Sequence, residues 1–340
     1  MQDKLIKELN LENQTIDPQE AKKIYNSSKV KIQILSFSFM LLFSAFNSAQ
    51  NLVGTLYENL EYNNLGLISL LVLYAVFAIA CLFAKYIIKK LSFKITFILS
   101  SMGYNFYSAS GIWVCLCYKE NSKSGVCSTE VIYFIVLLSA SLCGMAASTI
   151  WIAQGSYIDT LCIKSREMRG NLFGIFWAIQ QSSLIAGALL GSFVLKYLDN
   201  LYYFIIMTSL GLVATLFFFL LPNVQQQNNE ETQPIKQQIS NVFKLMMGKK
   251  VRPFIPFMVM AGIIVGFYSG FLNKLVENSM GFSDYPLNKN EKDDLSQNLS
   301  YVLISLGVFE IFGGIISGKL ADKFCVYKLA TLDQIKKQQN

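Results

Sequence analysis

The stretch Leu67-Ile68-Ser69-Leu70-Leu71-Val72-Leu73 decides the fold. It lies in an apolar run, residues 65–89, long enough to cross a bilayer, which takes roughly 20 helical residues. A strand of a membrane barrel would turn polar at every second position, whereas six of these seven residues are apolar. Lipid offers the backbone no hydrogen-bond partner, so such a run must satisfy its own N–H and C=O groups as a helix.

Eight runs of this kind occur, at about 32–56, 65–89, 92–117, 131–154, 172–197, 201–222, 253–275 and 300–320. They predict an all-α polytopic membrane protein of about eight transmembrane helices. The rest of the composition agrees. Hydrophobic residues make up 53% and charged residues only 15%, where a soluble domain carries about 25% charged. The net charge of +7 would suit nucleic acid only if the bases clustered on one folded face. They fall instead in short runs between the apolar stretches, so nucleic acid is not an expected partner and the lipid bilayer is.

Basic residues set the orientation, because lysine and arginine are retained on the cytoplasmic side. With the N-terminus inside, the inner segments hold 23 bases and the outer segments six. Both ends are therefore expected in the cytoplasm. Segment 1–31 is polar and charged, and no short apolar core follows a basic start, so no cleavable signal peptide is expected. The connection 223–252 carries Gln225-Gln226-Gln227-Asn228-Asn229-Glu230-Glu231. It is expected to lack regular structure, and it separates the first six runs from the last two. The outer segment 276–299 is acidic and polar, and the tail 325–340 is polar.

The chain has no histidine, which removes Ser-His-Asp and Cys-His nucleophile pairs and histidine metal sites. No pair of CxxC motifs, P-loop or paired acids at catalytic spacing is present. Neither an enzyme nor a metal or other cofactor is expected. Cys115, Cys117 and Cys127 fall on the outer side. There Cys127 can pair with Cys117 or Cys115, or all three can remain thiols. Asn298-Leu299-Ser300 is a glycosylation sequon on that side, but it abuts the eighth run and is not expected to be used.

Several motifs point to a family. Gly318-Lys319-Leu320-Ala321-Asp322-Lys323 closes the eighth run and resembles the G-x-L-a-D-r signature of the major facilitator superfamily. The matching copy after the second run is reduced to a basic remnant, Ala84–Lys90. Three further stretches resemble one branch of that superfamily, the uncoordinated-ninety-three family. They are Phe43–Asn47 with Gln50-Asn51-Leu52; Trp151-Ile152-Ala153-Gln154-Gly155 with Tyr157; and Gly174-Ile175-Phe176-Trp177-Ala178 with Gln180, Ser182 and Ser183. Gly307-Val308-Phe309-Glu310 with Gly313-Gly314 adds the branch's acidic eighth helix. The resemblance spans residues 32–324.

This resemblance implies a major-facilitator-type bundle of twelve helices in two six-helix halves. Residues 32–222 would be one half, 223–252 the central cytoplasmic loop, and 253–324 the first two helices of the other. On that plan the chain reads as truncated, with six plus two of an expected six plus six. The resemblance also implies a role. Family members are accessory subunits of potassium channels or escorts for membrane receptors, so channel or receptor subunits are the expected partners. The superfamily fold supports an alternative, secondary transport of a small solute or ion, with proton coupling through Glu310.

Four groups of residues are candidates for function. Asn47, Gln50 and Asn51 share one helical face and are candidates for lining a cavity. Glu310 sits ten residues from either end of its run, where a charged acid costs about 2.5–3.5 kcal/mol on insertion scales. It must face protein or water, and it is expected to hydrogen-bond Gln180, Gln181, Ser182 or Ser183 at matching depth in the fifth run. Trp151, Gln154, Gly155, Tyr157 and Trp177 carry the family motif. Gly318, Asp322 and Lys323 form the gating motif, in which the resemblance gives Asp322 a helix-capping or ion-pairing role. Glycines four apart, at 262, 266 and 270, at 187 and 191, and at 314 and 318, are expected to let helices approach closely.

Overall fold

The computed structural model describes residues 18–60, 62, 64–120, 124–162, 169–224, 235–249, 251–281 and 289–338. These residues form ten α-helices and two short 3-10 turns: α1 Pro18–Asn59, α2 Leu65–Lys90, α3 Phe93–Lys119, α4 Thr129–Cys162, α5 Arg169–Tyr197, α6 Asn200–Phe218, α7 Ile235–Met246, α8 Ile255–Gly270, α9 Leu272–Ser279 and α10 Lys289–Gln338. Among the described residues no strand occurs. The all-α polytopic fold stands.

The eight expected runs correspond to α1–α6, α8 and α10. Among the described residues, seven segments are both long and apolar enough to cross a membrane: Lys22–Gly54, Leu65–Lys90, Thr129–Cys162, Arg169–Tyr197, Asn200–Phe218, Arg252–Gly270 and Gln297–Lys323. The eighth, α3, has the length but a more polar composition, and its packing explains why. Ser100, Ser101, Tyr104, Asn105, Tyr107, Ser108 and Ser110 are all buried. Asn105 donates to Thr215 Oγ1 at 2.9 Å, and Thr215 donates to Ser101 Oγ at 2.9 Å. Ser100 and Thr149 pair at 2.7 Å, and Ser69 and Tyr107 at 3.1 Å. The polar side of α3 thus faces α2, α4 and α6, where its groups find partners that lipid cannot supply.

Local chemistry sets the helix ends. Ser92 caps α3 by accepting from Ile95 N–H at 3.3 Å, one of the donors a helix start leaves unpaired. Lys89 and Lys90 close α2, where positive charge suits the negative end of the helix dipole. Pro256 stands in the first turn of α8, where a missing N–H costs nothing. Serines within the spans turn back on their own helix. Ser36 donates to Ile32 O at 2.6 Å and Ser44 to Met40 O at 2.7 Å, which hides hydroxyls from lipid.

α1–α6 share one core. Its centre is Phe39, fully buried, which meets Phe97, Trp151, Phe176 and Phe218 edge-on at centroid distances of 5.2–5.9 Å. Rings from α1, α3, α4, α5 and α6 therefore meet at one point, in the geometry aromatic quadrupoles favour. α10 packs along α5, while α8 and α9 touch α1.

Four expectations about boundaries are corrected. The connection 223–252 is not wholly irregular, since residues 235–246 form α7. Its Gln/Asn-rich part, 225–234, lies outside the described residues. The seventh run is not one helix to 275: it breaks at Phe271, and α9 turns off to bury Leu272 and Val276 with Leu303 and Ala188. The last helix starts at Lys289 and continues to Gln338, so segment 276–299 and tail 325–340 are both partly helical. At ~1.5 Å per residue, this helix outruns a ~30 Å hydrocarbon core, and its ends project beyond it. Segment 1–31 likewise holds the start of α1, from Pro18 onward.

Candidate functional site: the seam between α5 and α10

α5 and α10 run antiparallel, and polar pairs tie them at three depths. Near the start of α5, Asp322 Oδ1 accepts from the backbone N–H of Gly170 at 2.6 Å, and Oδ2 accepts from that of Asn171 at 2.6 Å. Midway, Gln181 Nε2 donates to Glu310 Oε2. Near the far end, Ser192 and Ser300 pair through their hydroxyls, and Ser300 donates to Ala188 O at 3.4 Å. Gly170, Gln181 and Ser192 fall at intervals of eleven residues, about three helical turns, so they share one face. Their partners on α10 fall at intervals of twelve and ten residues.

Between the first two ties the helices touch backbone to backbone. A Cβ on Gly318 would stand 2.5 Å from Gly170 O and 2.9 Å from Gly174 Cα. One on Gly174 would stand 3.0 Å from Gly314 O. Gly170 and Gly174 thus face Gly314 and Gly318 in a small-residue crossing. Gly187 behaves similarly against α1, where an added Cβ would come within 2.6 Å of Ser44 O. The stripe at 262 and 266 does not: nothing lies within 4 Å of either position, and Gly270 meets only Leu67 at 3.9 Å. Those three were expected to pack closely, but α8 turns that face outward.

The Asp322 contact is electrostatic. A helix start presents unpaired N–H groups and about half a positive charge. An ionised carboxylate across it makes two charge-assisted bonds, each stronger than a neutral one. Lys323, the next motif residue, is exposed. Arg169 pairs with Asp159 at 2.5 Å, but both side chains are more than half exposed, which leaves this pair little weight.

Of the four residues at the depth of Glu310, Gln181 is the one the structure sets against it. Ser182 bonds its own helix at Ile179 O, 2.5 Å. Gln180 and Ser183 are buried, at 2% and 0% exposure, on the side toward the core. There Gln180 Oε1 and Ser183 Oγ have no hydrogen-bond partner.

A second tie joins α1 and α2 to α8. Gln50 Nε2 donates to Tyr74 OH at 2.9 Å, and Tyr74 OH pairs with Ser269 Oγ at 3.3 Å. Asn51 is buried and Asn47 half-buried. Beyond them Lys274 of α9 meets Glu58 of α1 at 3.1 Å. Gln50, a candidate cavity residue, is thus engaged by a neighbouring helix.

Of the motif aromatics, Tyr157 is buried in the α1–α6 core and Trp151 packs against it, while Trp177 is 38% exposed. Trp151 stacks on Trp177 at 5.7 Å and 10°. Tyr157 is buried against Phe93 and Phe97, with its hydroxyl 3.5 Å from Pro222 O. Gln154 is buried, and its Nε2 has no partner. Gly155 has open space at its Cβ position. Cys117 and Cys127 form a disulfide, while Cys115 remains a buried thiol. Asn298 lies inside α10, its Nδ2 donating to Asp294 O at 3.0 Å, so its sequon is wound into helix.

Some seam residues escaped the sequence. Gly170 carried a usable signal: it stands four residues before the motif residue Gly174, the same spacing as Gly314 and Gly318. The Gly170 and Asn171 N–H groups carried none, because every residue but proline has one. Tyr74 and Ser269 are unremarkable types in apolar runs.

Helices of this number, length and hydropathy, with buried polar ties between them, define a polytopic α-helical integral membrane protein. The chain belongs to the UNC-93 family: that family's model, described as "Ion channel regulatory protein UNC-93", matches residues 59–332. Among curated relatives, an "UNC93-like protein MFSD11" from Xenopus tropicalis is 29% identical over 222 residues, covering 62% of this chain and 44% of its own length. "Protein unc-93 homolog A" from Bos taurus is 24% identical over 341 residues, covering 85% and 67%. The "Putative potassium channel regulatory protein unc-93" of Caenorhabditis elegans is 27% identical over 187 residues, covering 52% and 23%. The chain thus spans less than half the length of the first of these. Among solved structures, the nucleoside transporter NupG superposes on 88% of this chain and 68% of its own, with a TM-score of 0.47 at 16% identity.

Proposed function

We propose that this protein is an accessory or regulatory subunit of potassium channels, or more broadly a trafficking partner of membrane proteins, and that it catalyses no reaction. The observation that carries the reading is the match of residues 59–332 to a family described as ion channel regulatory. The roundworm relative named as a putative potassium channel regulator supports it. The site geometry supports it too. Glu310 and Gln50 each bond a neighbouring helix, as groups that join helices do. In this reading residues 32–222 form one six-helix half and 253–324 the first two helices of its partner. The 23-to-six division of basic residues supports a cytoplasmic position for both ends.

One observation favours a second reading, proton-coupled transport of a small solute. Glu310 is an acid within a span, and intramembrane acids mark proton relays in transporters. Two measurements separate the readings. Potassium currents are recorded in cells expressing a channel with and without this chain, while surface labelling of the channel distinguishes regulation from trafficking. Solute-driven proton movement is measured in vesicles carrying the purified chain. The first reading expects altered currents or altered surface channel, with no proton movement. Proton movement lost in Glu310→Gln, with currents and surface channel unchanged, would replace it with the second.

A further inference from the structure

Helix α7 has an apolar face without a partner in the bundle. Ile239, Val242, Phe243 and Met246 recur at helical spacing along one side. Val242 is 42% exposed, Phe243 56% and Met246 41%. The next apolar side chains, Leu245 and Met247, are also exposed. Gln237, Ser240, Asn241 and Lys244 occupy the other side. Among the described residues, the packing of α7 on the bundle is a small contact with α2.

Three features say what covers this face. The first is charge: residues 232–252 contain no acid and five bases, Lys236, Lys244, Lys249, Lys250 and Arg252. The second is tethering. Only eight residues separate Met246 from Ile255, the start of α8, a reach of ~27 Å even fully extended. α7 therefore stays beside the point where a span enters the membrane. The third is length. Twelve residues make ~18 Å of helix, too short to cross, while a charged, strongly amphipathic helix of low mean hydropathy lies in the interface plane.

We propose that α7 lies flat on the bilayer surface that α8 enters, with its Ile239, Val242, Phe243 and Met246 face in the acyl boundary and its lysines against anionic headgroups. Charge complementarity commits the partner: the side that the bases mark as cytoplasmic is the side where anionic lipid concentrates. The helix then fixes the inner end of α8 in depth, and its grip follows the lipid composition of the membrane.

The test uses the full chain in nanodiscs of phosphatidylcholine alone or with phosphatidylserine. Amide exchange over 235–246 should slow about thirtyfold in the anionic discs, the factor that two lysines near such a surface give. Lys236→Gln with Lys244→Gln should erase that difference and leave exchange in α5 unchanged. A spin label at Val242→Cys, read against the unsubstituted chain, should contact dissolved oxygen in the lipid. One at Gln237→Cys should contact a water-soluble nickel complex. Equal exchange in the two discs overturns the proposal, as does a label at 242 that reports water.

Discussion

The carboxylate of Asp322 spans the first turn of α5, with one oxygen 2.6 Å from the backbone nitrogen of Gly170 and the other 2.6 Å from that of Asn171. A side chain of the last helix thereby caps a helix in the middle of the chain. Hydrogen bonds to a charged group contribute about 1.5–3 kcal/mol each. Asp322→Ala should lower the melting temperature of the purified protein by several degrees. Asp322→Asn, which keeps one acceptor but loses the charge, should fall between. Equal melting of all three would mean that the contact carries no stability.

Gln181 and Gln180 are neighbours with different expected behaviour. Gln181→Leu leaves the Glu310 carboxyl without its amide, at a cost of about 1–3 kcal/mol. Gln180→Leu removes an acceptor that is already unpaired and should cost less. Glu310→Gln retains an oxygen for the Gln181 amide and should melt close to the unsubstituted protein. A double-mutant cycle between 181 and 310 should give a coupling of about 0.6 kcal/mol, the average for hydrogen bonds between membrane helices, and no more than about 1.7 kcal/mol. Zero coupling would remove this tie from the account.

The glycines make a steric prediction with an internal control. Gly318→Val forces a branched side chain to within van der Waals overlap of Gly170 and Gly174. Overpacking of this kind costs about 1–3 kcal/mol, occasionally more. Gly262→Val meets nothing within 4 Å and should be tolerated. Folded yield after solubilisation, measured by size-exclusion chromatography, checks the pair.

The Cys117–Cys127 disulfide closes a loop over a sequence separation of ten residues. Loops of this length gain about 3 kcal/mol from cross-linking in the chain-entropy picture. Cys127→Ser should lower thermal stability accordingly. Mass spectrometry of the oxidised protein should find a peptide linking 117 to 127, with Cys115 still alkylatable after unfolding.

The spans were readable because lipid leaves the backbone no choice but helix, so apolar runs such as 65–89 mark them directly. Depth alone narrowed the surroundings of Glu310 to residues 180–183. It could not pick Gln181, because four consecutive residues face four directions and the choice depends on how α5 is rotated. α7 was hidden by composition. Its 3.6-residue period lasts only twelve residues and follows a glutamine-rich stretch. The break at Phe271 was missed because the sequence there stays apolar, although the chain turns to bury Leu272 and Val276. The motif resemblance gave Asp322 a capping role, and it caps α5; which helix it would cap was not legible, because the donors are backbone groups.

On the proposed regulatory reading the α5–α10 seam can stay fixed, whereas transport would need it to move. Ser192 and Ser300 already touch across it, so Ser192→Cys with Ser300→Cys should form a cross-link on oxidation. The deciding measurement is the potassium current in cells co-expressing a channel with this doubly substituted chain, before and after oxidation, beside each single cysteine variant. The account expects the locked chain to alter the current as much as the unlocked one. Loss of the effect only in the double variant, and only after cross-linking, would contradict it.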